Sequence, residues 1–436
     1  TYFDVTLRDH GNLSFSLAGA RAMPPGLMAE IEALARSNDA ITATALPLTG
    51  VQRARLADGC WLHNGRTRAQ FIADYDADLA EVLGRDAFLI GRRTESIQPL
   101  ALRETVLADG STRREIDVQW DVVYKDGTRM VREKNTLISG NSAGTPGCTT
   151  PQSGPNLRFM GNQRPARVEL RANNVREARY ALSNGAALTP TVRERREVEF
   201  YISDPSARFT YAIVQGPGPS NTIGGTTYPF SMKLISPRLL RDAPELRGKA
   251  GNFVNWAAAA DANFEAQGWV AGGMDRFDLY NDDGWKTVNG HAGRTPVATL
   301  YAELSRLPYR FTEMAGRYPV PTLTGTTTAQ VAANIVSANP VPVGLQWNTP
   351  TWPGAPMQFS QAWEFHQGPR TGNAEGASNP AVRSLVRVYP GSTATSVSLP
   401  ISKPLPDQAR KTYTELLLFY FEPGTVHSVR SRLTFQ

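Results

Sequence analysis

Short segments in which apolar and polar residues alternate run through most of the chain, and turn-forming residues separate them. In one segment five apolar or aromatic residues share a single face: Ile116, Val118, Trp120, Val122 and Tyr124. A period of two is typical of β-strands with one buried and one hydrated face. The 37 glycines and 31 prolines are spread along the sequence, which favours many turns between short strands. The sequence therefore predicts a mainly β protein.

The 436 residues exceed what a single hydrophobic core usually holds, so we expect several domains. Changes in pattern predict four parts: an N-terminal β segment and helix (1–50), an α+β cone-like domain (51–165), an antiparallel β-sandwich with a helical insertion (166–318) and a second antiparallel β-sandwich (319–436). Pro319-Val320-Pro321 is the predicted linker between the two sandwiches. The alanine-rich residues 253–267 are the predicted helical insertion.

Hydropathy and charge argue against a membrane span and against a nucleic-acid partner. No segment approaches the roughly 18 consecutive apolar residues that a spanning helix needs. The formal net charge is +6, but only seven of the 46 basic residues are lysines, and the arginines are dispersed through β segments. No basic run is interleaved with aromatic residues, as single-stranded nucleic acid would require. We expect a mildly basic, solvated surface.

Cys60 and Cys148 are the two cysteines of the chain, and both lie in polar, turn-rich surroundings. No C-x-x-C motif and no cysteine–histidine cluster is present, which argues against a metal or redox role. We therefore predict a disulfide between them, which places the protein in an oxidising compartment: extracellular, cell-surface or periplasmic.

Two helices are predicted before the first long strands. Pro24-Pro25 opens the first, and its apolar face continues through Leu34 and Ala35. The second follows a cap at Asn64 or Thr67, and its apolar side begins at Phe71 and Ile72.

Three long strands joined by Asp109-Gly110 and Asp126-Gly127 turns come next, and the last strand of this region begins Leu157-Arg158-Phe159-Met160. From about residue 50 to 165, this order of helix, long hairpins and final strand resembles the ketosteroid-isomerase-like cone fold. The resemblance is one of pattern, without a diagnostic motif. It implies that a disulfide from Cys60 to Cys148 would suit the fold.

The same resemblance implies that the cone can enclose a pocket built with acids and tyrosines. The candidate lining residues are His63, Asp74, Tyr75 and Asp121. They form no recognisable catalytic pattern, and the alternation that sets Asp121 opposite Trp120 also suits a side chain that faces solvent. The alternative is a cone that serves as a rigid structural platform.

The C-terminal region contains six evenly spaced predicted strands, which imply one β-sandwich. They cover residues 341–347, 358–365, 384–389, 395–399, 412–420 and 428–435. Leu345-Gln346-Trp347, together with Tyr413 at the start of a later strand, resembles a fibronectin type III module. That family implies no particular function. Trp352 lies between prolines and is a weak candidate for partner or sugar contact, or for loop packing.

Gly140-Asn141-Ser142-Ala143-Gly144 satisfies the G-x-S-x-G pattern of a nucleophile elbow. Such an elbow needs a strand before the serine and a helix after it. The sequence that follows is rich in glycine and proline and does not start a helix, so Ser142 is predicted to be an ordinary loop residue. Its replacement by alanine is expected to change nothing.

Oxygen-bearing side chains cluster at Asp278, Asn281, Asp282 and Asp283. Their spacing differs from that of an EF-hand loop, and a hairpin turn at Asp283-Gly284 explains the same residues. The sequence therefore leaves a calcium site open without predicting one. The five histidines lack ligand spacing and no phosphate-binding loop is present, so no metal and no cofactor is predicted.

Two classes of function remain. The first is a non-enzymatic surface protein, an assembly or adhesion subunit whose partner is itself or another surface component. The second is a periplasmic or secreted small-ligand-binding protein or enzyme that uses the cone pocket. The absence of a catalytic signature favours the first, and the whole chain resembles exported bacterial proteins of unassigned activity. Residues 1–17 alternate like a strand, and they could pair within their own chain or with a neighbouring copy.

Overall fold

The structure is a computed structural model of the full chain. It describes residues 24–43, 57–73, 93–123, 129–145, 148, 150–181, 189–220, 222–223, 226–227, 232–236, 239, 253–335, 342–367, 383–388, 393–399, 413–422 and 425–435. The chain divides into two compact units, the first formed by Thr1–Arg167 with Ile202–Arg208 and the second by Val168–Tyr201 with Phe209–Gln436. Strands greatly outnumber helices among the described residues, which confirms the predicted mainly β class.

The first unit contains one helix and six strands among its described residues. They are α1 (Leu27–Ala43), β1 (Leu62–His63), β2 (Arg66–Thr67), β3 (Arg93–Val106), β4 (Thr112–Val123), β5 (Arg129–Ser139) and β6 (Arg158–Gly161). Strands β3 to β6 form one antiparallel sheet in chain order, and β1 and β2 form a separate hairpin. The β3–β4 turn at Asp109-Gly110 is confirmed, with Gly110 at φ 79° and the Asp109 carboxylate accepting from the Ser111 backbone N–H at 2.9 Å.

Helix α1 packs its apolar stripe against the sheet. Leu27, Ile31 and Leu34 are at most 4% exposed and belong to the same core as the buried face of β4. That face consists of the residues expected from the alternation, all at most 2% exposed: Ile116, Val118, Trp120 and Val122. Burial of such side chains stabilises the fold by about 1.5–3 kcal/mol each. The sequence periodicity therefore located this core correctly.

The second predicted helix is capped at Thr67, one of its two candidate caps. Thr67 Oγ1 accepts from the Gln70 backbone N–H at 3.4 Å, and the Gln70 side chain accepts from the Thr67 backbone N–H at 2.9 Å. This reciprocal pair is a capping box, and it starts a helical segment at Arg68. The rest of the predicted helix, from residue 74 onward, lies outside the described residues, as does the Asp126-Gly127 turn.

The second unit is built from three larger sheets and short helices. Its elements are β7 (Arg167–Tyr180), β8 (Thr191–Ser203), β9 (Tyr211–Gln215), β10 (Thr222–Ile223), β11 (Thr226–Thr227), β12 (Met232–Ile235), β13 (Phe253–Ala258), α2 (Asp261–Glu265), β14 (Gly273–Tyr280), β15 (Ala298–Leu304), α3 (Phe311–Met314), β16 (Thr322–Thr324), α4 (Thr328–Ile335), β17 (Val343–Gln346), β18 (Gln358–Gln367), β19 (Arg383–Val388), β20 (Ser396–Leu399), β21 (Tyr413–Phe421) and β22 (His427–Phe435). All six predicted C-terminal strands are confirmed, with small shifts at their ends.

The largest sheet of this unit has seven strands in the order β13-β8-β7-β22-β21-β18-β19. It joins strands from both sides of the predicted linker at Pro319-Val320-Pro321. The junction is a parallel pairing of β22 with β7, from His427 opposite Ala172 to Phe435 opposite Tyr180. Strands that we assigned to two different sandwiches therefore lie in one sheet. The sequence did not predict this pairing, because partners more than 250 residues apart leave no local signal.

The two smaller sheets contain four strands (β12-β9-β14-β15) and three strands (β16-β17-β20). Phe200 on β8 lies edge-to-face with Phe277 on β14, with ring centroids 6.0 Å apart, and with Trp269 at 5.6 Å. The core beside the three-stranded sheet includes Leu345, Phe359 and Leu418, each at most 1% exposed.

The predicted helical insertion at 253–267 is wrong over its first half. Residues Phe253–Ala258 form strand β13, which pairs with β8 from Phe253 opposite Tyr201 to Ala258 opposite Arg196. Only the short helix α2 follows. The alanines favoured a helix by propensity alone, but pairing with a neighbouring strand satisfies the backbone of this segment, and tertiary context outweighs propensity.

Candidate functional site

His63 lies on β1 and is held by the loop after β6. Its Nδ1 accepts a hydrogen bond from the Asn162 backbone N–H at 3.2 Å, and its ring stacks on Trp61 with centroids 5.8 Å apart. Burial, together with the nearby positive charges of Arg167 and Arg66, lowers the pKa of His63 to about 4. The ring is therefore neutral at physiological pH, with its proton on Nε2 because Nδ1 is the acceptor.

The other predicted pocket residues do not join His63 in one described site. Asp121 lies on β4, on the side opposite the buried Trp120, and is opposite Glu95 in the β3–β4 register. No contact joins His63 to Asp121 among the residues that the structure describes. Asp74 and Tyr75 lie outside the described residues. The apolar face of β4, opposite Asp121, packs against other apolar side chains, including Phe159, whose ring is 5.7 Å from that of Trp120.

Asp58 and Arg158 form a buried ion pair in the first unit. Arg158 Nε lies 2.7 Å from Asp58 Oδ2, and the two side chains are 9% and 0% exposed. Arg158 also donates to the backbone carbonyls of Gly140 at 2.8 Å and Asn156 at 3.1 Å, while Asp58 Oδ1 accepts from the Cys60 backbone N–H at 2.8 Å. This pair therefore links the segment before β1, the end of β5 and the loop before β6. No local pattern predicted this pair, since the two residues are 100 positions apart.

The predicted disulfide is confirmed: Cys60 and Cys148 are bonded, with their Cα atoms 4.5 Å apart. Cys60 is 5% exposed and packs with Ile138 and Met160 in a small apolar cluster. The bond fixes the loop between β5 and β6 against the segment before β1, beside the Asp58–Arg158 pair.

Ser142 is a structural residue of this loop. Its side chain is buried, its Oγ accepts from the Gln152 backbone N–H at 2.9 Å, and it donates to the Gln152 carbonyl at 3.2 Å. No helix follows it among the described residues. The loop prediction is consistent with this geometry. The hydrogen bonds of the buried hydroxyl to Gln152 lead us to expect an effect of its replacement on stability.

We expect Ser142→Ala to lower the free energy of unfolding by about 1–3 kcal/mol, since the backbone N–H of Gln152 loses its hydroxyl acceptor, while the Gln152 carbonyl keeps the Ser142 backbone N–H at 2.9 Å. Chemical denaturation of the purified variant measures this. Ser111→Ala is a control at an exposed turn and should change stability by less than about 1 kcal/mol. Covalent labelling of Ser142 by a serine-hydrolase probe would contradict the structural role.

Trp352 is partly buried against the core of the second unit. Its ring centroid lies 5.1 Å from that of Tyr420. The Tyr420 hydroxyl accepts from Trp347 Nε1 at 2.8 Å, and burial raises the pKa of Tyr420 to about 12. Trp347 itself is 4% exposed. These three side chains therefore form a packed aromatic group, and the described contacts of Trp352 are packing contacts.

The acidic residues near the end of β14 and in the loop after it are used in ion pairs. Asp278 lies 2.8 Å from Arg276, while Asp282 and Asp283 both contact Arg294, at 2.7 and 2.9 Å. The carboxylates thus point toward two different arginines. Within the described part of the chain, no group of three or more metal-ligating side chains is assembled.

A buried histidine that the sequence did not single out lies in the second unit. His427 is 1% exposed, with Nδ1 3.2 Å from Glu422 Oε2 and Nε2 3.1 Å from Asn174 Oδ1. Arg306 donates to the same Glu422 oxygen at 2.7 Å, and Tyr309 N–H donates to Asn174 Oδ1 at 2.8 Å. Burial lowers the pKa of His427. This network joins the middle of β7 to the turn between β21 and β22 and to the segment after β15.

Arginine–glutamate pairs cover one face of the seven-stranded sheet. Glu199, whose side chain is 5% exposed, lies 2.9 Å from Arg171 and 3.5 Å from Arg430. Arg432 pairs with Glu415 at 3.0 Å on the neighbouring strands. The dispersed arginines noted in the sequence are thus paired with carboxylates across strands, which explains their occurrence in β segments.

The comparisons with known proteins give no relative. No protein-family model matches the chain, and no curated protein matches it at a significant level. Among the described residues, no helix is both long and apolar enough to cross a membrane.

Proposed function

We propose that the chain is a non-enzymatic structural or assembly subunit at the cell surface or in the extracellular space, and that copies of it associate into filaments. The observation that carries this proposal is the use of polar groups in the first unit. Asp58, Arg158, Ser142 and His63 each hold one backbone segment to another. Side chains arranged in this way stiffen a scaffold and leave little for binding or proton transfer.

Two further features support the proposal. The Cys60–Cys148 bond suits an oxidising compartment. Within the described sheets, β13 and β19 stand at the two ends of the seven-stranded strand order, and edge strands offer backbone groups to an added strand. Within residues 1–17, Phe3–Leu7 and Leu13–Leu17 alternate apolar and polar residues as an added strand would. A strand that crosses to the next copy makes a head-to-tail contact, which repeats into an open filament.

Deletion of residues 1–17 is expected to leave folded monomers that no longer polymerise. Electron micrographs and sedimentation of the full and truncated chains measure this at equal, high concentration. Two full-length variants distinguish the loss of strand pairing from the shortening of the chain. Val5→Asp with Leu7→Asp changes the apolar face and should abolish polymers, whereas Asp4→Ser with Thr6→Ser changes the polar face and should preserve them.

Two outcomes would reject the filament proposal: a truncated chain that assembles like the full one, or a full chain that is monomeric at high concentration. Native mass spectrometry of the same sample tests the competing class. A small molecule that copurifies at one per chain would favour ligand binding over assembly.

A further inference from the structure

Asp275 is a buried carboxyl, and no cation among the described residues balances its charge. It lies on β14, is 1% exposed, and shares the inward face of that strand with Phe277. Within the described part of the chain, its Oδ2 has no hydrogen-bond partner. Burial alone raises the pKa of Asp275 to about 7, so the side chain is largely protonated in mildly acidic solution.

The charged groups on the elements packed around Asp275 are directed elsewhere. On β14 itself, Arg276 and Asp278 alternate with Asp275 and pair with each other at 2.8 Å. On β15, Glu303 is exposed and is opposite Met274 in the register. In and near α2 the ion pairs are Asp261 with Arg196 and Glu265 with Arg310. No described cation therefore compensates an ionised Asp275.

A glycine–proline loop after β9 closes over this carboxyl. In the β9–β14 register Gln215 is opposite Arg276, so Gly216 follows directly beside Asp275. A Cβ atom at Gly216 would lie 2.1 Å from Asp275 Oδ1. Gly218, at φ +127°, approaches the Trp269 ring so closely that a Cβ there would lie 2.5 Å from it. The loop at residues 216–219 thus contacts the carboxyl at one end and an aromatic ring at the other.

We propose that Asp275 is a proton-controlled latch for the loop at residues 216–219: the neutral carboxyl stays beneath Gly216, and its ionisation releases the loop from Trp269. A carboxylate in this site has lost its hydration and has no partner, so it is stabilised only if water reaches it. Movement of the loop supplies that water. The folded-state pKa lies above the unfolded value, so the closed state is favoured at low pH and is lost as the pH rises through about 7.

Hydrogen–deuterium exchange of residues 212–220 tests the latch, with rates corrected for the pH dependence of chemical exchange. In the unmodified protein, protection of these amides should fall about tenfold for each pH unit between about pH 4 and pH 7 and level off above pH 7, because one proton is lost on opening only in that range. Asp275→Asn should abolish this pH dependence. Asp278→Asn, on the same strand but the opposite face, should retain it. Equal protection at pH 6 and pH 8 in the unmodified protein, or pH dependence that persists in Asp275→Asn, would overturn the proposal.

Gly216→Ala gives a second test that keeps the carboxyl. The added methyl group must displace the loop or the Asp275 side chain, which admits water, lowers the pKa of Asp275 in the closed state and moves the pH at which protection levels off below 7. Residues 112–123 in the first unit provide an internal reference whose corrected protection should not change between these pH values. If protection still levels off near pH 7 in Gly216→Ala, the contact between loop and carboxyl is rejected as the latch.

Discussion

Asp58→Ala is expected to lower the free energy of unfolding by about 3–5 kcal/mol, because it leaves the Arg158 guanidinium buried without its counter-charge. The loop carbonyls that Arg158 also holds, at Gly140 and Asn156, would lose their fixed donor if the side chain moved out to water. Hydrogen exchange across β4 and denaturant unfolding of the variant measure the loss in the first unit.

Two variants make this result specific. Arg114→Ala removes a partner of Glu104 in a half-exposed pair at 2.9 Å, and should cost less than about 1 kcal/mol. Asp58→Ala combined with Arg158→Met should be less damaging than the two single effects added together, since no charge is then buried alone. If Asp58→Ala lowers the free energy of unfolding no more than Arg114→Ala does, the buried Asp58–Arg158 pair does not stabilise the first unit as we expect.

Loss of the Cys60–Cys148 bond is the second large effect that we expect. The two residues are 88 positions apart, and a bond that closes a loop of this length stabilises by about 4–5 kcal/mol through lost chain entropy in the unfolded state. Cys60→Ala with Cys148→Ala should therefore unfold at a lower denaturant concentration than the oxidised protein. Addition of a reductant should lower the stability of the unmodified chain toward that of the double variant.

The double variant is its own control, because a reductant should leave its stability unchanged. Alkylation of the native protein followed by mass spectrometry checks the premise, with no modified cysteine expected before reduction. Two alkylated thiols in the native, unreduced protein would contradict both the disulfide and the compartment inferred from it.

Local chemistry made much of the fold predictable. The alternation of Ile116, Val118 and Trp120 with polar residues identified the buried face of β4, because side chains on a strand point to opposite sides in turn. Asp109-Gly110 was recognisable as a turn, and Thr67 as a helix cap, because each depends on contacts within a few residues. The disulfide followed from the residue types and the turn-rich setting of the two cysteines.

Tertiary structure alone decided the long-range pairings. The parallel pairing of β22 with β7, the edge position of β13 and the Asp58–Arg158 contact join residues from distant parts of the chain. Asp275 shows the same limit, because its sequence neighbours do not reveal that Gly216 covers it. The sequence by itself indicated most of the strands, although not β13, and it identified the apolar face of β4. Which strands meet, and which charges are buried together, depends on long-range packing and desolvation, and these leave no periodic signal along the chain.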